Sequence, residues 1–156
     1  KKTGERINEQ IGSEFAAMTT YYSVAAYFDS EGLRGFMDYY YKQAEEEKAH
    51  GLKFIKFLAD AGAPVKIPQI PAPRYEFSSV LEVVTLALKN EEKVTQQIYS
   101  IMDTARSEND KMTEQFLNWF IREQLEEVSS ANDVLSLVKK AGPGKEFLVQ
   151  QYLKHD

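Results

Sequence analysis

The sequence has 156 residues, a formal net charge of −5 and a pI near 5.2. This length suits one domain, predicted over residues 1–156, and the acidic charge argues against a nucleic-acid partner. The absence of cysteine excludes disulfides, zinc–thiolate sites and iron–sulfur clusters. No apolar run approaches the ~20 residues of a membrane span. The charged start resembles no signal peptide, so we expect a soluble, cytoplasmic protein.

Two long amphipathic helices are predicted in the first half of the chain, over residues 3–29 and 33–61. Each has one stripe with spacings of three and four residues, which is one face of a helix. The first stripe is Ile7, Ile11, Glu14, Met18, Tyr21, Ala25 and Phe28. The second is Phe36, Tyr40, Gln43, Glu47, His50, Phe54, Phe57 and Ala61. The short link between the helices predicts an antiparallel hairpin.

Residues 62–77 contain four of the five prolines and cannot be helical. This segment could be a linker between two domains, but its length favours a crossover. A helix of this size is ~40 Å long. An extended proline-rich segment of about 16 residues reaches ~50 Å, enough to run along the whole helix.

The second half predicts helices over residues 78–106, 111–140 and 145–154. Ser78 and Ser79 offer an N-cap for the first of these. Gly142 and Pro143 mark the end of the second. We therefore predict an all-α, up-down-down-up four-helix bundle with one long crossover loop and a short fifth C-terminal helix.

Polar residues interrupt all four stripes at about the same height, roughly 15–20 Å from the helix ends. The set comprises Glu14 on the first helix, Glu47 and His50 on the second, Glu91 on the third, and Gln124 and Glu127 on the fourth. Because packed helices bring their midpoints to one level, these six side chains should converge in the core.

Four buried carboxylates would repel one another strongly unless cations were present. Two divalent ions would neutralise them, and oxygen ligands with one nitrogen suit iron or manganese better than zinc or copper. Taken singly, each Glu is more simply a stripe-edge residue whose head reaches water. Four interruptions at one level argue against that interpretation.

At these residues the sequence resembles the non-haem ferritins of bacteria and archaea along nearly its whole length. The matching segments are Ser13-Glu14-Phe15, Glu46-Glu47-Lys48-Ala49-His50, Asn90-Glu91-Glu92, Phe116-Leu117-Asn118-Trp119-Phe120 and Glu123-Gln124-Leu125-Glu126-Glu127.

The resemblance implies a dinuclear ferroxidase centre with assigned ligands. Glu14 and His50 would hold the first iron, Glu91 and Glu127 the second, and Glu47 would bridge them. Further roles are implied for five residues. Gln124 would lie beside the iron ligands or at the oxygen site, Glu46, Glu123 and Glu126 would form a third iron site, and Tyr21 would donate an electron near the centre.

The resemblance also argues against haem. Lys48 occupies the place of the haem-binding methionine of bacterioferritins. The fourth helix has Gln124-x-x-Glu127 where bacterioferritins and rubrerythrins have a second Glu-x-x-His.

By this resemblance we expect an iron-storage ferroxidase that oxidises Fe(II) with dioxygen or hydrogen peroxide inside a homo-oligomeric shell of about 24 subunits. Aromatic residues expected on the surface (Tyr39, Tyr41, Trp119 and Tyr152) would suit subunit interfaces. Two alternatives stay open: a small-assembly di-iron oxidase or peroxidase without storage, and a non-enzymatic helical interaction module.

Overall fold

The computed structural model describes residues 2–154 and consists there of helices and connecting loops. The four long helices are α1 (Lys2–Ser30), α2 (Arg34–Asp60), α3 (Val80–Ser107) and α4 (Lys111–Ala141). A C-terminal 3-10 helix spans Glu146–Tyr152. The predicted all-α bundle is confirmed, with helix ends within a few residues of those expected. The predicted domain's residues 1, 155 and 156 lie outside the described range.

The crossover packs lengthwise along α1. Near its start, Asn8 Nδ2 donates to Pro64 O (3.0 Å) and Asn8 Oδ1 accepts from Lys66 N (2.7 Å). Near its end, Ser23 Oγ donates to Arg74 O. The segment thus runs from the first turns of α1 towards its last turns, and α3 begins beside the start of α2. α2 and α3 are therefore parallel, as the crossover length predicted.

Local capping explains where α3 begins and where α4 begins and ends. The Ser79 side chain accepts from Glu82 N at 3.0 Å, so Ser79 is the N-cap of α3. Asp110 caps α4 by accepting from Thr113 N at 3.1 Å. Gly142 follows α4 with a φ of 81°, a left-handed conformation that favours glycine.

The predicted short C-terminal helix is present, and its geometry is that of a 3-10 helix. Its Val149 is buried. Gln150 Oε1 accepts from Phe36 N at 3.1 Å, in the first turn of α2. Leu33 offers that turn no side-chain cap, so Gln150 supplies the missing acceptor from a distant part of the chain.

The apolar core forms two clusters at opposite ends of the bundle. One is built around Phe28, Phe36 and Val84, and the other around Ile11, Phe54 and Phe120. The polar interruptions predicted from the sequence fall between these clusters. They therefore lie in a layer enclosed by apolar packing at both ends.

Two of the four aromatics expected at the surface are not exposed. Tyr39 is buried, with its ring 5.1 Å from that of Tyr40, and Trp119 is half-buried. Only Tyr41 and Tyr152 are exposed. The prediction was wrong for Tyr39 and Trp119 because both rings pack against neighbours within their own chain.

Candidate metal centre

The six polar residues expected to converge are all buried in the middle of the bundle. Glu14, Glu47, His50, Glu91 and Gln124 are no more than 2 % exposed, and Glu127 is 7 % exposed. Each comes from a central turn of its helix, where the stripe would otherwise carry an apolar residue.

These side chains form two overlapping groups of possible metal ligands. One contains Glu14, Glu47 and His50, and the other contains Glu47, Glu91 and Glu127. Within each group, one ligand atom per residue lies within 4.8 Å of the others. Glu47 belongs to both groups. The geometry therefore offers two adjacent cation positions that share one carboxylate.

His50 lies between two carboxylates of the first group. Its Nδ1 atom is 3.5 Å from Glu14 Oε1 and 3.3 Å from Glu47 Oε2. The Glu47 contact follows from helix geometry, since residues three apart in α2 share a face. The imidazole also packs edge-on against Trp119 and Phe120, with ring centroids 5.6 and 5.7 Å away. These rings fix its orientation.

Trp119, which packs against His50, is itself in contact with a cation. Lys53 Nζ lies 4.0 Å from the centroid of the indole ring, on the face of the ring. The cation stabilises the electron-rich ring. Of these two side chains, the indole is the one that packs against the imidazole of His50.

Hydrogen bonds hold Glu91 in the second group from two sides. Tyr21 Oη donates to Glu91 Oε2 at 2.7 Å. Gln124 Nε2 donates to Glu91 Oε1 at 3.3 Å and to Glu91 O at 3.2 Å. The same nitrogen lies 3.3 Å from Thr95 Oγ1. The structure thus places Tyr21 and Gln124 directly beside a predicted ligand.

Gln43 orients the other side of the second group. Its Nε2 atom donates to Glu127 Oε2 and lies 3.5 Å from Glu47 Oε1. Gln43 appeared in the α2 stripe, one turn before Glu47, but was not predicted as a site residue. Thr95 was missed as well. Their positions could have indicated both residues, because Gln43 precedes Glu47 by four residues and Thr95 follows Glu91 by four, which places each on the same helix face as a predicted ligand.

Burial and neighbouring charges shift the pKa of each ionisable side chain in the cluster. Burial, with the neighbouring carboxylate Glu14, raises the pKa of Glu47 to about 6. Burial and Glu47 raise the pKa of Glu91 to about 8, and burial and Glu91 raise the pKa of Glu127 to about 10. Burial also raises the pKa of Glu14. Burial alone would lower the pKa of His50, but Glu14 and Glu47 raise it to about 11.

Several buried polar atoms in the cluster have no hydrogen-bond partner among the described residues. They are both carboxylate oxygens of Glu14, Glu47 Oε2, His50 Nδ1 and Gln124 Oε1. Unsatisfied buried acceptors are costly, and here they accumulate in one place. Divalent cations would both satisfy them and neutralise the carboxylates.

The three carboxylates predicted as a third site lie outside this cluster. Glu46, Glu123 and Glu126 line a surface pocket together with Gln43 and Glu127. Among residues 2–154, these three do not come together as a ligand group of the kind formed around Glu47. The pocket therefore adjoins the buried centre, while its three carboxylates are more widely spaced.

The sequence matches the family model described as a ferritin-like domain over residues 4–141, which includes every residue of the cluster. The chain belongs to the ferritin family. Bacterial non-heme ferritins of Staphylococcus epidermidis and Staphylococcus aureus are 39% and 36% identical to it. The alignments cover 87% and 88% of this chain and 82% and 83% of those proteins, respectively.

Solved structures agree with this assignment. An open-pore ferritin from the hyperthermophilic archaeon Archaeoglobus fulgidus superimposes with a TM-score of 0.94 at 34% identity. The match covers 98% of this chain and 96% of that one. The predicted resemblance to bacterial and archaeal ferritins is therefore confirmed. The chain belongs to a family of iron-storage proteins, and its buried Glu/His cluster could hold metal ions.

No helix within residues 2–154 combines the length and apolar character that crossing a membrane requires.

Proposed function

We propose that this ferritin oxidises Fe(II) at the buried centre and stores the Fe(III) product as a mineral inside a multi-subunit shell. Two bound Fe(II) ions supply two electrons, which reduce dioxygen to hydrogen peroxide, or hydrogen peroxide to water. The observation that carries the proposal is the sharing of Glu47 by two ligand groups. A shared carboxylate holds two cations close enough to act on one oxidant.

The two groups support the ligand roles that the resemblance to ferritins implies. Glu14 and His50 bind the first Fe(II), Glu91 and Glu127 bind the second, and Glu47 bridges both. One nitrogen and the remaining oxygen donors suit iron. The protein supplies geometry, charge and a dry environment, while the iron supplies the redox chemistry. Since iron is the substrate, it leaves the centre after oxidation.

Tyr21 and Gln124 act at the edge of the centre. Tyr21 donates to Glu91, so its phenol is in hydrogen-bond contact with a ligand of the second iron. This contact supports a role as a one-electron donor during oxidant reduction. Gln124 also contacts Glu91 and offers an unpaired carbonyl oxygen.

Glu46, Glu123 and Glu126 bind a third iron in this proposal, in the pocket that adjoins Glu127. Burial raises the pKa of Glu123, and a cation bound beside it would favour the ionised carboxylate. Iron at this position would pass between the centre and the pocket.

The shell is proposed as a homo-oligomer of about 24 copies, by resemblance to ferritins. A native mass near 24 subunits supports storage. A dimer would favour the alternative of a small di-iron oxidase or peroxidase that stores nothing.

Glu47→Gln tests the centre because it removes one charge and keeps the side-chain shape. We expect the rate of Fe(II) oxidation to fall at least about 100-fold, since both cation positions lose a ligand. Glu45→Gln is the matched control, on the same helix but exposed. Equal oxidation rates for wild type and Glu47→Gln would overturn the proposal and favour a non-enzymatic helical module.

A further inference from the structure

The Gln124 side chain is held in one orientation by acceptors on α3. Its Nε2 atom faces Glu91 O, Glu91 Oε1 and Thr95 Oγ1, at 3.2, 3.3 and 3.3 Å. Thr95 Oγ1 in turn donates its only hydrogen to Glu91 O at 2.9 Å. With that hydrogen committed, the hydroxyl can only accept from Gln124. All three partners therefore select the amide nitrogen.

The reverse orientation of the amide is disfavoured. Rotating the Gln124 amide by 180° would bring its carbonyl oxygen against Glu91 O and Glu91 Oε1, which are both acceptors when Glu91 is ionised, as cation binding requires. Thr95 Oγ1 would then face a third oxygen without a hydrogen to donate. Oxygen atoms in such contacts repel one another in a buried site.

The carbonyl oxygen of Gln124 is left without a protein partner. Gln124 is 1 % exposed, and its Oε1 atom is buried with no hydrogen-bond donor among residues 2–154. An unsatisfied buried carbonyl is costly unless a ligand supplies the missing interaction. This oxygen belongs to a residue in contact with Glu91, a member of the second ligand group.

We propose that Thr95 is a positioning residue for the second cation position. Its hydroxyl holds the Gln124 amino group on α3, so that the carbonyl oxygen stays free to act as an electron-pair donor towards a divalent cation beside Glu91. The inference rests on the proposed dinuclear centre. It assigns to Thr95 a role exerted through Gln124.

Thr95→Val and Thr95→Ser form the matched pair that tests this role. Valine keeps the shape and loses the hydroxyl, whereas serine keeps the hydroxyl. Zn(II) titration of the apo assembly, followed by calorimetry, measures both cation positions without redox chemistry. We expect Thr95→Val to lower the Zn(II) affinity of the weaker of the two binding steps about two- to tenfold, the range for one lost hydrogen bond. Thr95→Ser should stay within about twofold of wild type.

A double-mutant cycle separates positioning from a general packing effect. In a Gln124→Leu background there is no amide to orient, so Thr95→Val should cause no further loss of Zn(II) affinity. The same loss in both backgrounds would overturn the proposal, as would equal loss in Thr95→Val and Thr95→Ser. If Thr95→Val does not assemble, Thr95→Ser is titrated with Zn(II) in the wild-type and Gln124→Leu backgrounds. Loss of Zn(II) affinity despite the retained hydroxyl overturns the proposal. Unchanged Zn(II) affinity supports it.

The outcome is distinguishable from failure of the proposed function. If wild type binds two Zn(II) ions per chain but does not oxidise Fe(II), ferroxidase activity is refuted while the Thr95 titrations still stand. If wild type lacks the second Zn(II) step, the positioning role is overturned whatever the oxidation rate.

Discussion

Gln43 and Glu127 are joined by a hydrogen bond across a sequence separation of 84 residues. Gln43 Nε2 is the donor, and the same nitrogen lies 3.5 Å from Glu47 Oε1. One neutral amide on α2 therefore contacts both Glu47, the carboxylate common to the two groups, and Glu127, the possible ligand contributed by α4. Gln43 and Glu127 also line the surface pocket, so this contact lies where the centre approaches solvent.

Replacing Gln43 should weaken the second cation position selectively. Gln43→Leu keeps the volume similar and removes the hydrogen bond to Glu127, while the contact that it removes from Glu47 is the weaker one, at 3.5 Å. Outer hydrogen-bond partners of metal ligands are typically worth ten- to 100-fold in affinity. We expect about a tenfold loss in the second Zn(II) binding step, measured by calorimetry, with the first step nearly unchanged. Gln96→Leu, at an exposed position of α3, is the control. Equal loss in both steps would contradict this prediction.

His50→Ala should slow Fe(II) oxidation at least about tenfold while leaving the shell intact. The substitution removes the only nitrogen donor of the first group. It should leave contacts between subunits unchanged, because His50 is buried within its own chain. Stopped-flow oxidation and native mass spectrometry measure the two effects. Loss of assembly in this variant would mean that the residue is chiefly structural.

The apo protein should lose stability as the pH rises from 6 to 9. In the folded chain the pKa values of Glu91, Glu127 and His50 are about 8, 10 and 11. The unfolded values are about 4.3 for Glu and 6.5 for His. The folded state thus binds more protons throughout this window, and stability falls with pH. The contribution of His50 to the free energy of unfolding is fully present below about pH 6.5 and is lost as the pH approaches 11.

Thermal unfolding of chelator-treated protein at pH 6 and pH 9 tests whether stability falls as the pH rises. The midpoint should be lower at pH 9, and Glu127→Gln should reduce the difference because its amide does not titrate. Saturating Zn(II) should reverse the trend, since cations require the deprotonated ligands. A midpoint that rises with pH in the apo protein would be inconsistent with these pKa shifts.

Gly51→Ala should destabilise the bundle at the level of the metal centre. A Cβ atom at Gly51 would lie 2.5 Å from Phe15 Cε1, closer than real side chains approach. The Phe15 ring would have to move from its place between α1 and α2, next to Glu14 in sequence and to the turn that carries His50. We expect a loss of about 1–3 kcal/mol, typical of overpacking, measured by denaturant unfolding. Gly4→Ala is the control, since a Cβ atom there meets nothing within 4 Å. Equal stability of the two variants would refute the argument.

The sequence predicted the helices and the polar layer because both depend on local periodicity. Stripes with spacings of three and four determine which face is buried, and the lengths of the links determine helix direction. Glu14, Glu47, His50, Glu91, Gln124 and Glu127 could therefore be placed at one height before any contact was known. The ligand roles assigned to them came from the resemblance to ferritins and remain predictions.

Periodicity could not predict the contacts made between helices. It could not show that Gln43 reaches Glu127, or that Trp119 packs against His50, because such contacts depend on rotamers and neighbours distant in the chain. It also could not fix the geometry of the C-terminal segment, whose 3-10 form accompanies the docking of Gln150 onto α2.

Residue spacing was enough to predict a four-helix bundle with a carboxylate-rich layer at mid-height, since a helix imposes its period on every residue. That Glu47 belongs to both groups of possible ligands, and that the Gln124 amide presents an unpaired oxygen, became visible only in the packed bundle. The physical reason is that buried polar atoms take their orientation from the partners that packing brings within hydrogen-bond distance.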